Sequence, residues 1–183
     1  GVYSSNLDGT NSHQVVSATD IGSEPLALML RGNSLYFSYT QAGAGSIGRV
    51  RTDGTDLQLG FVTGIVGDSF GIDADANYIY MAEAGNNAIG RAPIAGGAAN
   101  ATWIENAGAW PVTVAVDGHS VYWTQYNRNA IGRADIDGTN ADDDFISLSG
   151  GHPWGLALDG RFLYWSDLAG GRIGRADLDG TKM

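Results

Sequence analysis

The stretch Ile131-Gly132-Arg133-Ala134-Asp135-Ile136-Asp137-Gly138-Thr139 decides the fold. Its Ile-Gly-Arg core recurs at residues 47–49, 89–91 and 173–175, so that successive copies lie 42 residues apart. Four copies at one spacing indicate a structural unit of that length, because internal periods of about 20–50 residues are typical of repeat architectures.

Each unit has the pattern of four short strands. The first strand, such as Val112 to Val116, is almost continuously apolar, which suits a strand buried on both faces. The second, such as Val121-Tyr122-Trp123, carries aromatic residues, and Asp-Gly turns such as 117–118 and 159–160 supply the positive φ of tight hairpins. A repeat of about 40–45 residues with four strands predicts the blade of an all-β propeller.

The chain is permuted against its own repeat. Residues 2–10 match the third strand and its turn, and residues 14–17 match a fourth strand, whereas the C-terminus reaches only another third strand. Such an offset predicts that residues 14–17 dock beside residues 172–177, within one chain or between chains, because open sheet edges recruit partners.

The strand count leaves two interpretations open. The third-strand motif occurs five times but the first and second strands only four times, so one third strand is surplus. Residues 1–183 form either a single propeller domain of four blades with a displaced half-blade, or a part of a larger ring. We expect association of chains to form a homo-oligomer through the terminal blades.

Composition excludes several classes of partner. The chain has 20 acidic and 10 basic residues, a formal charge of −10, which would repel a nucleic-acid backbone. It has no cysteine and no apolar run approaching the ~20 residues of a membrane span. It begins at Gly1 without methionine, as expected after loss of a leader or of other sequence, and we predict an extracellular or periplasmic location.

Two segments carry a family resemblance. Leu163-Tyr164-Trp165-Ser166-Asp167 and Val121-Tyr122-Trp123-Thr124-Gln125 resemble the YWTD repeat of low-density-lipoprotein-receptor class B propellers. The Ile-Gly-Arg-Ala-Asp element, preceded by a Pro-x-Gly-x-Ala-x-Asp-Gly strand, is similar to streptogramin lyase and NHL-type propellers. The resemblance identifies an architecture and not a chemistry.

Candidate binding residues come from two sets of loops. Inter-blade loops and the loops between second and third strands share one face of a propeller, where ligands usually bind. We predict a site on this face for a protein, a peptide or a small ligand. Its candidate residues are Glu83, Trp110, Gln125, Tyr126, Arg128, His152, Trp154 and Asp167.

Structural roles are the main alternative for these residues. Trp110 and Trp154 are expected to cap the blade core, and Asp167 occupies the position of a structural aspartate in the YWTD repeat. Streptogramin lyases use His and Glu with Mg²⁺, so His152 paired with Glu83 or Asp167 would be a general base, but the full set is not matched. We therefore predict no catalytic residue, no metal ligand and no cofactor.

Two other patterns have structural interpretations. The acidic residues 135–144 would suit Ca²⁺, yet they lack the closing Glu of an EF-hand loop, so a solvated loop is favoured. The arginines of the Ile-Gly-Arg motif are expected to pair with turn aspartates or with the next blade. Ile131 and Ile173 are both predicted to be buried.

The leading functional prediction is a non-catalytic propeller scaffold that binds a ligand or protein through its inter-blade loop face. The alternative is a lyase of the streptogramin type, or a fragment of one. A third is a lectin-like module with a sugar site in each blade, which would require equivalent aromatic residues in every loop.

Overall fold

The chain folds almost entirely into β-strands. A computed structural model describes residues 1–41 and 43–183, and these form five sheets. The single helical turn of the described residues is α1 (Ala18–Ile21). Ser17 caps it, accepting a hydrogen bond from the Asp20 backbone N–H at 3.0 Å. The predicted all-β fold is confirmed.

The N-terminal sheet is a two-stranded half-blade. Its strands are β1 (Val2–Ser4) and β2 (His13–Val16), which pair antiparallel with each other. They correspond to the third and fourth strands of the repeat, as the sequence predicted.

Blade 1 follows directly and is the largest sheet. In order from its inner strand it contains β3 (Pro25–Arg31), β4 (Ser34–Gln41), β5 (Ala44–Arg51) and β6 (Gln58–Val66). A two-residue strand from the next unit, β10 (Gly97–Ala98), adds to its outer edge in parallel with β6.

Blades 2 and 3 are complete four-stranded antiparallel sheets. Blade 2 contains β7 (Ser69–Ala74), β8 (Tyr78–Glu83), β9 (Ala88–Pro93) and β11 (Asn100–Ile104). Blade 3 contains β12 (Pro111–Val116), β13 (Ser120–Gln125), β14 (Ala130–Asp135) and β15 (Asp142–Ser147).

Blade 4 has three strands: β16 (Pro153–Leu158), β17 (Phe162–Asp167) and β18 (Arg172–Asp177). Among the described residues, β18 pairs with β17 alone. The predicted docking of the N-terminal fourth strand beside residues 172–177 is therefore wrong within one chain, because β2 pairs with β1 instead.

The inner strands of the four blades lie around a central cavity. β3 packs beside β7, β7 beside β12 and β12 beside β16, and no comparable contact joins β16 to β3 among the described residues. Residues of all four strands line a cavity of about 430 Å³. The core is distributed between the blades, where the apolar face of each blade covers that of its neighbour.

The glycine of Ile-Gly-Arg is explained by the aromatic residue beside it. Gly132 pairs across the sheet with Trp123, and a Cβ on Gly132 would collide with the indole ring. Gly48 has the same relationship with Phe37. A second-strand aromatic residue thus requires a third-strand glycine, which is why the two motifs recur together.

The predicted burial of the motif isoleucine is wrong for Ile173. Ile47, Ile89 and Ile131 are 0% exposed, but Ile173 is 73% exposed. The next blade covers the first three residues, and no described residues cover the corresponding face of blade 4.

The arginines of the motif stack within their own blades. The Arg91 guanidinium lies 4.4 Å from the ring centroid of Tyr78 and 4.5 Å from that of Trp103, and Arg133 lies similarly over Tyr122 and Phe145. Only Arg49 pairs with an aspartate near a turn, Asp56. The predicted pairing with turn aspartates is thus wrong for Arg91 and Arg133, because aromatic rings flank them on both sides.

The acidic stretch 135–144 is a hairpin turn followed by a strand, because Asp142, Asp143 and Asp144 begin β15. The solvated-loop interpretation therefore holds for the turn and is wrong for these three residues. Asp137 accepts hydrogen bonds from the backbone N–H and the hydroxyl of Thr139, at 2.9 and 2.6 Å. Gly138 has a φ of 92°, which glycine adopts without strain.

No helix within residues 1–41 and 43–183 is long and apolar enough to cross a membrane.

Candidate functional site

Four of the predicted site residues meet on the loop face. Tyr126 directly follows β13, Trp110 and His152 directly precede inner strands, and Trp154 is the second residue of β16. The Tyr126 ring stacks on His152 at 4.5 Å between centroids and meets Trp110 and Trp154 edge-on at 5.6 and 5.8 Å. We refer to these four residues and Phe70 as the ring cluster.

His152 is held by backbone groups. Its Nδ1 lies 3.0 Å from the Tyr126 carbonyl oxygen, which can only accept a hydrogen bond, so Nδ1 carries the proton. Its backbone N–H donates to Asp167 Oδ1 at 3.3 Å. Nε2 is therefore the ring nitrogen left to contact a ligand, and the orientation of the ring is set by a peptide carbonyl and not by a carboxylate.

Trp110 is fixed by bonds on both sides of its backbone. Its N–H donates to Asn87 Oδ1 at 2.9 Å, and its carbonyl accepts from the Tyr126 N–H at 3.1 Å. Its φ of 57° is rare for a bulky residue and is maintained by these bonds. The side chain is 39% exposed, so the indole caps the blade and remains accessible from solvent.

Trp154 joins the cluster to the central cavity. Its carbonyl accepts hydrogen bonds from the hydroxyls of Thr113 and Thr124, at 2.7 and 2.9 Å. Its ring, also 39% exposed, lies 6.1 Å from that of Phe70, on the inner strand of blade 2. Sequence reasoning missed Phe70, although it follows Ser69 at the repeat position where Trp154 follows Pro153.

Glu83 lies beneath the loop face and not on it. It is 0% exposed, Oε2 accepts from the Val66 N–H at 3.1 Å, and Oε1 has no hydrogen-bond partner among the described residues. Burial raises the pKa of Glu83 to about 8. No hydrogen bond joins it to His152 in the part of the chain that the structure describes, so the hypothesised acid–base pair does not form.

Gln125 and Asp167 occupy the equivalent position in blades 3 and 4. Gln125 is fully buried and its Nε2 donates to the Asp143 carbonyl. Asp167 accepts from the Gly170 N–H and from Arg172 Nε, both at 2.8 Å, and these bonds lower its pKa. The Gln125 side chain links β13 to β15, and the Asp167 side chain holds the loop after β17, which agrees with the structural role expected for Asp167.

Arg128 is bound to the outer strand of its own blade. Its guanidinium pairs with Asp143 at 3.0 Å and with Asp144, whose hydrogen bond raises the pKa of Arg128. The pairs are exposed and contribute little to stability. The structure therefore separates Arg128 from the ring cluster.

A half-buried carboxylate that the sequence did not single out lies at the cavity. Asp73 Oδ2 accepts from the Val116 N–H at 2.9 Å, which links blades 2 and 3, and burial raises the pKa of Asp73. The equivalent inner-strand residues are Met29, Ala115 and Ala157, so no repeat pattern pointed to it. Within residues 1–41 and 43–183, no group of three or more His, Asp or Glu side chains is arranged to hold a metal ion.

Comparison with solved structures shows that the fold is a β-propeller. The chain is similar to virginiamycin B lyase from Staphylococcus aureus, with a TM-score of 0.71 and 23% identity over 94% of this chain and 57% of that one. It is similar to the GH74 enzyme of Niastella koreensis, with a TM-score of 0.75 and 16% identity over 100% of this chain and 33% of that one.

A third similar structure comes from a nidogen/laminin complex, with a TM-score of 0.61 and 18% identity over 87% of this chain and 78% of that one. At these identities the likeness shows the fold alone. Models of known protein families give no match, and neither do curated protein sequences.

Proposed function

We propose that this chain is a non-catalytic propeller scaffold that binds a peptide, protein or small ligand at the ring cluster. The observation that carries the proposal is the pair of 39%-exposed indoles, Trp110 and Trp154, held on either side of Tyr126. Rigid aromatic side chains bury a large area at little conformational cost, which makes them frequent anchors in binding sites.

The groups around the cluster support binding over catalysis. The carboxylate that accepts from the His152 backbone N–H, Asp167, is paired with Arg172 and bonded to a second backbone N–H, that of Gly170. A general base is oriented by a second polar side chain, and His152 Nδ1 has only the Tyr126 carbonyl as its partner among the described residues. His152 Nε2 instead serves as a hydrogen-bond acceptor beside apolar rings, which suits recognition of an N–H or O–H group.

The five tryptophans provide an internal test. In ¹⁵N-labelled protein each indole N–H gives one signal, and Trp103, Trp123 and Trp165 serve as controls away from the cluster. We would add a proline-rich decapeptide, cellohexaose or chitohexaose as probes. We expect one of them to shift the Trp110 and Trp154 signals and leave the Trp123 signal in place, because the Trp123 indole N–H is bonded to the Ala107 carbonyl at 2.9 Å.

A matched variant separates binding from folding. Tyr126→Ala removes the ring that both indoles contact, so it should abolish the shifts while the Trp123 signal keeps its position. If no probe shifts Trp110 or Trp154, or if the shifts survive in Tyr126→Ala, the ring cluster is not the binding site.

The second candidate function is a lyase of the streptogramin type. The similarity to virginiamycin B lyase over 94% of this chain and the free Nε2 of His152 favour it. Incubation with a streptogramin B lactone and mass analysis of the product tests it. Turnover that disappears in His152→Ala would replace the binding proposal with a catalytic one.

A lectin-like module has less support, because the cluster is not repeated around the face. The positions equivalent to Trp110 and His152 are Glu24 and Asp68. An extracellular or periplasmic location forms part of the binding proposal, and the similarity to a structure from a nidogen/laminin complex supports it.

A further inference from the structure

Aromatic rings in several blades lie against arginine side chains. The Arg91 guanidinium lies 4.4 Å from the ring centroid of Tyr78 and 4.5 Å from that of Trp103. Other guanidinium groups lie 4.4 to 5.8 Å from the centroids of four more rings, those of Phe61, Tyr122, Phe145 and Phe162. The face of an aromatic ring attracts a cation because its π electrons concentrate negative charge there. The chain thus uses guanidinium groups repeatedly to cover aromatic faces.

The ring cluster is an aromatic group without such a cation. No arginine or lysine lies over the ring of Trp110, Tyr126 or Trp154 in the part of the chain that the structure describes. Arg128 is close in sequence, but two aspartates of its own blade hold it. Both indoles are 39% exposed. Their exposed parts are therefore open to a cation that a ligand brings.

The charges of the loop face favour a positively charged ligand. Of the ten basic residues, all of which the structure describes, only Arg128 and Arg172 lie at this face, and both are paired with aspartates. Glu24 and Asp68 directly precede inner strands in the inter-blade loops, and neither forms an ion pair among the described residues. Carboxylates without balancing cations on one face raise the local concentration of cationic ligands.

We propose that the ring cluster recognises an arginine side chain of a peptide or protein, with the guanidinium against the exposed indoles of Trp110 and Trp154. This inference rests on the proposed function, because it names the chemistry of the ligand at the same site. A guanidinium is planar and more weakly hydrated than the ammonium of lysine, so it stacks on an aromatic face more readily. Its N–H edge stays available for hydrogen bonds while its plane lies on an indole.

An arginine uses more of what this face offers than a neutral ligand does. A sugar ring or a proline also stacks on an indole, but it takes nothing from the unpaired carboxylates. The contact of Arg91 with Trp103 already combines the two attractions. Hydrogen bonds from Thr139 lower the pKa of Asp137, and the charge of Arg91 lowers it further. A guanidinium on an indole and within the field of a carboxylate is thus an arrangement that this fold contains.

Two tripeptides of nearly the same shape test the role of the charge. Acetyl-Gly-Arg-Gly-amide carries the guanidinium, and acetyl-Gly-citrulline-Gly-amide carries a neutral ureido group in its place. Titration of ¹⁵N-labelled protein, followed through the indole N–H signals, gives a Kd for each. We expect the arginine peptide to shift the Trp110 and Trp154 signals and to bind at least about fivefold more tightly than the citrulline peptide. This preference should shrink as sodium chloride is added.

Trp154→Leu is the matched variant, because leucine stays apolar and removes the aromatic face. It should lower the preference for arginine over citrulline, and Trp154→Phe should keep part of it. Trp103→Leu is the control, since that indole already contacts Arg91, and it should leave the preference unchanged. The Trp123 indole signal reports in each variant whether blade 3 stays folded, because this N–H is bonded to the Ala107 carbonyl.

The outcomes separate this inference from the proposed function. Equal binding of the two peptides at the ring cluster, or a preference that is unchanged in Trp154→Leu, overturns the inference and leaves the binding site in place. A shift caused by a neutral probe but by neither peptide has the same meaning. If no peptide and no probe shifts Trp110 or Trp154, both the inference and the proposed function fail.

Discussion

The indole of Trp123 lies on the Cα of Gly132 in the neighbouring strand, so closely that no side chain fits between them. Gly132→Ala should therefore destabilise the protein by about 1–3 kcal/mol through overpacking. Urea unfolding measures this loss of stability. Gly90→Ala is the matched control, because Gly90 faces the flexible Met81, and its cost should be smaller. Equal costs would contradict the aromatic contact.

Two equivalent isoleucines should respond differently to the same change. Ile131→Asp places a charge at a position that is 0% exposed and should cost several kcal/mol, whereas Ile173 is 73% exposed in the single chain. Ile173→Asp should cost less than about 0.5 kcal/mol, because an exposed position tolerates the charge. Thermal unfolding of the two variants measures both costs. A large loss of monomer stability in Ile173→Asp would show that this face is covered within the chain.

Glu83 predicts a pH dependence of stability. Its folded-state pKa of about 8 lies above its usual value of 4.5, so the native state binds the proton more tightly than the unfolded state. The contribution of Glu83 to stability is therefore full below pH 4.5 and is lost as the pH rises through about 8. Glu83→Gln should remove most of this slope and match the parent near pH 5. Urea unfolding at several pH values measures this pH dependence. Glu105 is exposed, so Glu105→Gln is the control that should keep the slope.

Gln125 and Arg128 lie three residues apart but should behave differently. Gln125→Ala leaves the Asp143 carbonyl without its donor and opens a cavity, so it should cost about 1–3 kcal/mol. Arg128→Ala removes exposed ion pairs and should cost less than about 1 kcal/mol. The reverse order of the two costs in urea unfolding would show that the loop and not the buried amide holds β13 to β15.

The blade plan could be predicted from the sequence because its determinants are local. Ile-Gly-Arg spacing, Asp-Gly turns and paired aromatic residues all lie within one unit. The meeting of Trp110, Tyr126 and His152 also followed from aligning the loops, since equivalent positions fall on one face.

Other features depend on contacts between units and could not be inferred from one repeat. Nothing local distinguishes Ile173 from Ile131, because only the neighbouring blade determines burial. The last residue of a second strand, such as Gln125, looks like a loop residue in sequence, yet its side chain turns under the sheet toward the Asp143 carbonyl. Arg91 stacks on rings from two strands whose faces the sequence pattern did not specify.

The hydroxyl bridges between blades have an evolutionary consequence. Ser38 and Thr124 bind backbone carbonyls of the next blade, and a carbonyl is present whatever side chain occupies that position. The arginine stacks lie inside single blades and make no demand on a neighbour. A duplicated or deleted unit would therefore find an acceptor for this hydroxyl at the new junction, whatever side chain its neighbour carries there.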